Sequence, residues 1–476
     1  MPNSRGSDNI WPDWLCAIIG LCSGLLLAIP AIYSAFVPLQ IIALIPVFYL
    51  GASKRAGSLG LIAAGLFMSI AYILPQLFVL RLPVLFVAPL AGFGAILMIV
   101  EVWAFGKLLA GPGISGAIAA GALLVVIDWV LFTALPGFGT GPSLVRPWSR
   151  YPALIQFVSI TGLTGVNFVL GSLQALVVKL IVSPQSWRKA LICITAIVAV
   201  ISTTDIVIKY RQPVGRLKVA AVGWTNADVE RHGRIKSKRG FKTLLSEPII
   251  NAAENGARLI VCPETVLWLP AASQKGQLEH LAQIARSHSI YLAIGYGDKK
   301  TNENRMMFID PCGQVIGEYT KTYLAYFEHF KKGDGRLTQV NIDGFAVGAM
   351  ICADDGYTRL SREYGRKGVP LVAVLNNDWL QIKDFHLQNS IHRAIESRYA
   401  VVRATSNGIS AIVSPDGRVL ARKDHFTEGP GFIMAEVPLY SCRTMFSILG
   451  HWPAAISVIF LAIYLFFKFK TACVKI

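Results

Sequence analysis

Long, nearly uninterrupted apolar runs fill residues 1 to 208, whereas residues 209 to 443 alternate short apolar runs with charged segments of helical period. A helix needs about 20 apolar residues to cross a bilayer. Runs of that order lie at 14–36, 58–78, 82–106, 116–135, 155–181 and 189–208, with a shorter one at 38–52 and a last one at 446–467. The pattern predicts an N-terminal transmembrane domain over 1–208 with about seven helices, an aqueous domain over 209–443, and a C-terminal span and tail over 444–476. The first run is long, has little positive charge before it and is followed at once by more spans, which argues against a cleaved signal peptide.

Within 209–443, β-rich runs predict strands at 217–222, 259–262, 291–295, 306–309, 315–319, 346–351, 371–375, 401–404, 410–413 and 432–436. Helical patterns fall at 239–255, 274–289, 357–367 and 384–399. Asp310-Pro-Cys-Gly313 and Ser414-Pro-Asp-Gly417 carry the Pro and Gly chemistry of tight turns and predict hairpins. Strands alternating with helices make a layered α/β domain in which helices cover sheets.

The composition, 54% hydrophobic and 15% charged, fits a membrane part joined to an aqueous one. Lys and Arg in the short loops set the orientation. With a cytoplasmic N-terminus, the inner side receives Arg5, Lys54, Arg55, Lys107, Lys179, Arg188, Lys189, Lys468, Lys470 and Lys475, and the outer side only Arg81, Arg146 and Arg150. That bias places residues 209–443 outside the cytoplasm. A net charge of +17 suggests nucleic acid at first sight, but much of it sits in those inner loops. The outer domain holds 32 basic and 23 acidic residues, most densely basic over Arg231–Lys242. Anionic headgroups and a solvated helix face each account for that stretch, and no nucleic acid partner is expected.

The eight cysteines form no C-x-x-C pair and no metal spacing, so no metal is expected. Glu101 and Asp128 lie inside apolar runs, where ionisable groups are functional candidates by default. A helix-to-helix hydrogen bond or a place near the interface explains each as well.

Cys352 ends the apolar run Phe345–Ile351 and precedes a helix-like segment. Residues at such strand ends open into clefts, and backbone N–H groups at a helix start lower a thiol's pKa. A lone cysteine is more commonly a buried small hydrophobe. Glu264, after Val261-Cys-Pro, also suits a helix start, and Lys321, after Tyr319-Thr, taken alone reads as a solvated charge. Together, a thiol, a carboxylate and an ammonium at strand ends are the parts of a covalent acyl-transfer site.

In order along the chain, Pro263-Glu264, Tyr319-Thr-Lys321, Ile351-Cys352, Asn376-Asn-Asp-Trp379 and Ser406-Asn-Gly408 resemble the nitrilase (carbon-nitrogen hydrolase) superfamily. The multi-span front, outer domain and closing span resemble its membrane branch, the apolipoprotein N-acyltransferase family; Asn304, Arg393–Arg398 and Gly162–Asn167 add to the match. The resemblance implies a multi-span α-helical membrane domain joined to a nitrilase-like α-β-β-α sandwich, in the bacterial cytoplasmic (inner) membrane with the sandwich on the periplasmic face. It also implies a ping-pong acyl transfer without cofactors. Glu264 would take the thiol proton, Cys352 would attack an ester of a membrane phospholipid, and Lys321 with the N–H near Ala353 would hold the oxyanion. The thioester would then acylate the α-amino group of a diacylglyceryl-cysteine at a lipoprotein N-terminus. Trp268, Tyr323, Tyr326, Phe327 and Trp379, with Phe330 and Leu269, are expected as lid or acyl contacts, or else as core packing.

Some positions depart from the family pattern. Its Gly-Glu pair after the loop phenylalanine is replaced by Glu328-His329 after Phe327, and the aromatic and Glu after the nucleophile by Ala353 and Asp354. A tryptophan expected in the first loop has no counterpart in Thr225–His232. Ala353, Asp354, Glu328 and His329 are therefore the expected supporting residues. Two other outcomes stay open: a membrane-anchored amidase or acyltransferase with a different acceptor, and a catalytically silent membrane protein that binds lipid or a partner.

Overall fold

The computed structural model describes residues 10–81, 84–111, 113–134, 139–209, 212–270 and 272–473. Arg5, Lys475 and positions 82, 83 and 135 of the predicted runs lie outside the described residues. Eight helical segments are long and apolar enough to cross a membrane: Asp13–Ile32, Ser34–Ala52, Ser58–Leu80, Leu85–Leu109, Ser115–Thr133, Thr164–Val182, Trp187–Thr204 and Trp452–Lys470. Their number and order follow the hydrophobic pattern, and their edges differ where glycine and proline intervene. The run expected from 155 begins as a helix only at Thr164, because Gly162, at φ 70°, ends the short Val158–Thr161 turn. Gly450, at φ 67°, likewise delays the last helix to Trp452. The weak run at 38–52 is a 3-10 segment, Ser34–Ile41, followed by the short helix Ile45–Ala52, with Pro38 and Pro46 interrupting a regular helix.

Gly20 and Gly24, four residues apart on Asp13–Ile32, meet the Ser58–Leu80 helix backbone to backbone. A Cβ on Gly20 would overlap the carbonyl of Ala64, and one on Gly24 that of Met68. Small residues at this spacing let apolar helices pack closely where lipid removes the hydrophobic drive between them.

Thirteen strands build the second domain among the described residues: β1 (Gly215–Gly223), β2 (Leu259–Val261), β3 (Leu267–Leu269), β4 (Tyr291–Asp298), β5 (Glu303–Ile309), β6 (Val315–Thr320), β7 (Gln339–Ile342), β8 (Phe345–Ile351), β9 (Leu371–Asn377), β10 (Ala400–Ser406), β11 (Ile409–Val413), β12 (Val419–Asp424) and β13 (Gly431–Leu439). They form two mixed sheets. The first runs β13-β1-β2-β4-β5-β6 with β3 beside β4, and the second runs β12-β11-β10-β9-β8-β7. Both predicted hairpins are present, as antiparallel β5–β6 and β11–β12.

Alternate residues of the facing sheets, among them Val219, Val261 and Phe308 against Ile351, Ala373 and Val402, interlock in a core closed to water. The outer face of the first sheet is covered by Glu247–Glu254 and Ala272–His288. The second sheet carries Thr358–Lys367 and Lys383–Ser397, giving the α-β-β-α order. Those last two helices share their core with the membrane part: Leu360, Tyr364, Ile391 and Ile395 pack with Trp148, Ile155, Val158 and Leu163. Polar bolts cross the same seam. Arg146 Nε donates to Gln388 Oε1 at 2.8 Å while its guanidinium lies 3.8 Å from the Phe385 ring centroid, and Arg398 Nη1 donates to Gln156 Oε1 at 2.6 Å.

The helix contact at Gly20 is testable. Gly20→Leu is expected to cost about 1–3 kcal/mol by overpacking, lowering the midpoint of thermal unfolding in detergent, whereas Gly57→Ala, where a Cβ meets nothing within 4 Å, leaves that midpoint in place.

Candidate active site

Cys352 ends β8, whose last residue Ile351 pairs with Leu375 of β9. Its φ of 49° lies in the left-handed region, so the chain turns sharply from the strand into the 3-10 turn Cys352–Gly356. A non-glycine residue held this way costs of order 1–3 kcal/mol and persists because its surroundings fix it. Part of that fixing comes from the membrane side, where Thr140 N–H donates to Gly356 O at 2.9 Å. Glu264 sits just beyond β2 and Lys321 just beyond β6, so the first sheet brings both to the edge facing the nucleophile turn.

There Lys321 Nζ donates to Glu264 Oε1 at 2.8 Å and to Glu328 Oε1 at 2.7 Å, with the lysine side chain fully buried. Asn304 Nδ2 donates to the same Glu264 oxygen at 2.5 Å, and Glu328 Oε2 accepts from Ala325 N–H at 2.8 Å. An ammonium has three donors; two are spent on the glutamates. Burial pushes Glu264 above the usual carboxylate range, with Lys321 and Asn304 pulling it part of the way back. Burial opposes the charge on Lys321, yet the negative groups around it, Cys352, Glu264 and Glu328, hold it well above an ordinary lysine.

The expected low thiol pKa is not found. Burial, and then the charge of Glu264, push the Cys352 thiol well above its ordinary value, with the charge of Lys321 pulling it part of the way back. The first turn after Cys352 is a short 3-10 turn, too small a dipole to offset that. Such a thiol reacts only if a base removes its proton as it attacks, and Glu264 with raised affinity for protons suits that task.

The supporting residues separate. Asp354 is a brace: its Oδ1 accepts from the N–H groups of Thr322 (3.1 Å) and Tyr323 (2.8 Å), and its Oδ2 from Tyr319 OH (2.8 Å) and Ile351 N–H (3.0 Å). It thereby ties the Lys321 segment to the nucleophile strand and is pushed up to about 6, chiefly by burial. With every lone-pair direction occupied, it does not face an oxyanion. Ala353, at the open start of the 3-10 turn, where N–H groups lack intrahelical acceptors, lines the site cavity. Glu328 contacts Lys321, whereas His329 is exposed and its carbonyl accepts from Asn302.

The cavity over Cys352 has about 320 Å³ and is walled by Trp268, Tyr326, Phe327, Phe330 and Trp379. Tyr323 is not part of that wall; it stacks on Tyr357 with ring centroids 3.8 Å apart, so packing rather than substrate contact holds it. Leu80 and Phe385 line both this cavity and a second one of about 190 Å³ among the membrane helices. A larger cavity, about 600 Å³ beside Tyr151 and Pro415, is lined by none of Glu264, Lys321 and Cys352. Asp128 accepts from Asn167 on the neighbouring helix (2.5 Å) and from Ser143 (2.8 Å), which is the helix-to-helix bond weighed for it.

Sequence reasoning missed a second polar group in the wall. Asp378, inside the quoted Asn376–Trp379 segment, accepts from His386 Nδ1 at 2.8 Å and from Arg403 Nη2 at 2.5 Å. Gly408 leaves room for it, since a Cβ there would sit 2.6 Å from Asp378 Oδ2. One atom each of Cys352, Asp378 and His386 lie within 4.8 Å of one another. Both Asp378 oxygens and one imidazole nitrogen are already spent in hydrogen bonds, so this trio is a poor cation cage and a good proton-handling group. His386 carried no sequence signal beyond its place on a predicted helix.

Residues 218–445 match the carbon-nitrogen hydrolase family model. Apolipoprotein N-acyltransferase of Rickettsia prowazekii (strain Madrid E) is 21% identical over 71% of this chain and 74% of its own length. Over most of its length the chain is similar to apolipoprotein N-acyltransferases. Apolipoprotein N-acyltransferase 1 of Treponema pallidum (strain Nichols) is 29% identical over 31% of this chain and 28% of its own. An amidase from Nesterenkonia sp. AN1 overlaps 47% of this chain and 93% of its own at 19% identity and a TM-score of 0.40. The chain thus carries a region that matches the carbon-nitrogen hydrolase model beside helices long and apolar enough to cross a membrane.

Lys321→Met removes the group that lowers the Cys352 thiol pKa, so less thiolate forms. Alkylation by iodoacetamide at pH 8, followed by intact mass, is expected to slow by at least about tenfold, the effect of one pKa unit.

Proposed function

We propose that the protein moves an acyl chain from a membrane phospholipid, through a thioester on Cys352, to the α-amino group of a diacylglyceryl-cysteine at a lipoprotein N-terminus. The observation that carries this reading is the buried Glu264–Lys321–Glu328 cluster facing Cys352 in a cavity that shares walls with one among the membrane helices. The similarity of the chain to apolipoprotein N-acyltransferases supports it.

Glu264 takes the thiol proton as Sγ attacks the ester carbonyl. The remaining donor of Lys321 and the Ala353 N–H stabilise the oxyanion, a contribution worth about 3–4 kcal/mol per well-placed donor. Collapse expels the lysophospholipid alkoxide, which receives the proton from Glu264. The acceptor amine then attacks the thioester. Both substrates are lipids, and a cleft opening toward membrane helices admits their chains without carrying them through water. Phe327, Tyr326 and Trp379 supply apolar contact, and Phe86 of the Val84–Leu109 helix meets Tyr326 at 4.7 Å between ring centroids, joining that wall to the bilayer part. With the orientation set by the basic loops, the cleft faces the outer leaflet of a bacterial inner membrane.

Incubation of the full-length protein with phospholipid carrying a tagged acyl chain is expected to give a hydroxylamine-labile adduct by intact mass, absent in Cys352→Ser. No adduct under conditions where a relative forms one would sink the reading. Loss of the adduct to water, with no triacylated product when a diacylated lipopeptide is added, would instead mark a hydrolase.

A further inference from the structure

We propose that His386, held by Asp378, is the base that removes the extra proton of the acceptor ammonium; the inference rests on the acyl-transfer reading above. Proton balance calls for such a group. In the first half-reaction a thiol and an ester give a thioester and an alcohol, so the proton Glu264 takes from sulfur goes to the leaving oxygen and none is released. In the second, a thioester and an ammonium give an amide, a thiol and one free proton. The C–N bond forms and the C–S bond breaks; Glu264 can move one amine proton to the departing sulfur. The ammonium's other proton must leave first, because nitrogen needs its lone pair to attack. Lys321 is already an ammonium and Glu328 is engaged by it, so neither can accept it.

His386 is placed and prepared for this. Its ring, Asp378 and Cys352 Sγ lie within 4.8 Å of one another. A carboxylate only accepts, so His386 Nδ1 carries the hydrogen in its bond to Asp378 and Nε2 keeps a lone pair. Nε2 makes no hydrogen bond to the described residues, and the residue lines the cavity. Asp378 is fixed in turn by Arg403 Nη2, and its own N–H donates to Ser406 O at 2.9 Å.

The charged and titratable groups facing the ring are Asp378 after β9, Asp355 and Cys352 on the nucleophile turn, and Arg403 of β10 behind the two carboxylates. The His386 side chain keeps 18% of its surface exposed against 4% for Glu264, which gives the proton a way out to water.

The test separates the half-reactions. Full-length protein in lipid nanodiscs is charged with tagged phospholipid and then mixed with diacylated lipopeptide, and both rates are followed by mass. In His386→Gln the ratio of transfer rate to thioester-formation rate is expected to fall about 10²-fold at pH 7, the size of a general-base contribution. The ratio recovers above about pH 9, where an α-amino group, with a pKa near 8, is already neutral, and added imidazole restores it at pH 7. His386→Asn is the second variant, and thioester formation in either shows that the site has assembled. A ratio that stays at the wild-type value, a deficit equal at pH 7 and pH 9, or thioester formation lost as fully as transfer in both variants overturns the proposal. If the wild type forms no thioester, the acyl-transfer reading itself fails, and that outcome is visible before the lipopeptide is added.

Discussion

Lys321 is an ammonium with no access to water, held between two glutamates, and the surrounding architecture is what makes that tolerable. Removing either charge from such a pair leaves the other buried and uncompensated, at a cost of about 3–5 kcal/mol. The glutamates come from different loops of the first sheet, and Asn304 on β5 supplies a further donor. Asp354, from the second sheet, holds the backbone on which Lys321 is carried. The two sheets must therefore close on each other for the ion cluster to exist at all. The same closure sets Cys352 beside it, so the thiol and the ion cluster are brought together by the act that seals the core.

The membrane part is not a passive tether in this arrangement. Sheet two reaches it through the Thr358–Lys367 and Lys383–Ser397 helices, whose apolar faces are shared with residues 145–166. Arg146 and Arg398 then fasten polar atoms across the seam, and Thr140 grips the nucleophile turn itself. These contacts join the membrane helices to the turn that carries Cys352. On the acyl-transfer reading proposed above, that link suits a site whose substrates arrive from the bilayer.

Much of this was legible along the chain, for identifiable reasons. Apolar runs and short β-rich segments gave the spans and ten of the thirteen strands because each buries a long periodic face. The strands passed over, β3, β7 and β12, are three to six residues long or carry charge, so their periodicity is weak. Glu264, Lys321 and Cys352 stood out because each ends an apolar run. The thiol's electrostatics did not, since they depend on burial and on Glu264, a partner far away in sequence. Asp354, expected as a supporting residue, is a brace, and of the two readings left open for Tyr323 its stacking on Tyr357 favours packing. Asp378 and His386 were hidden because their pairing with Arg403 and Cys352 joins three elements that no spacing rule relates.

The Trp452–Cys473 helix packs against Ser115–Ala134, and Tyr464 OH donates to Leu108 O at 3.1 Å. Its neighbours precede the sandwich along the chain, and it follows the sandwich. The groove it fills therefore stays vacant throughout translation of the whole sandwich. Completion of the helix bundle in the membrane is in this way made to wait for the sandwich, which must be translated before the helix that fills the groove.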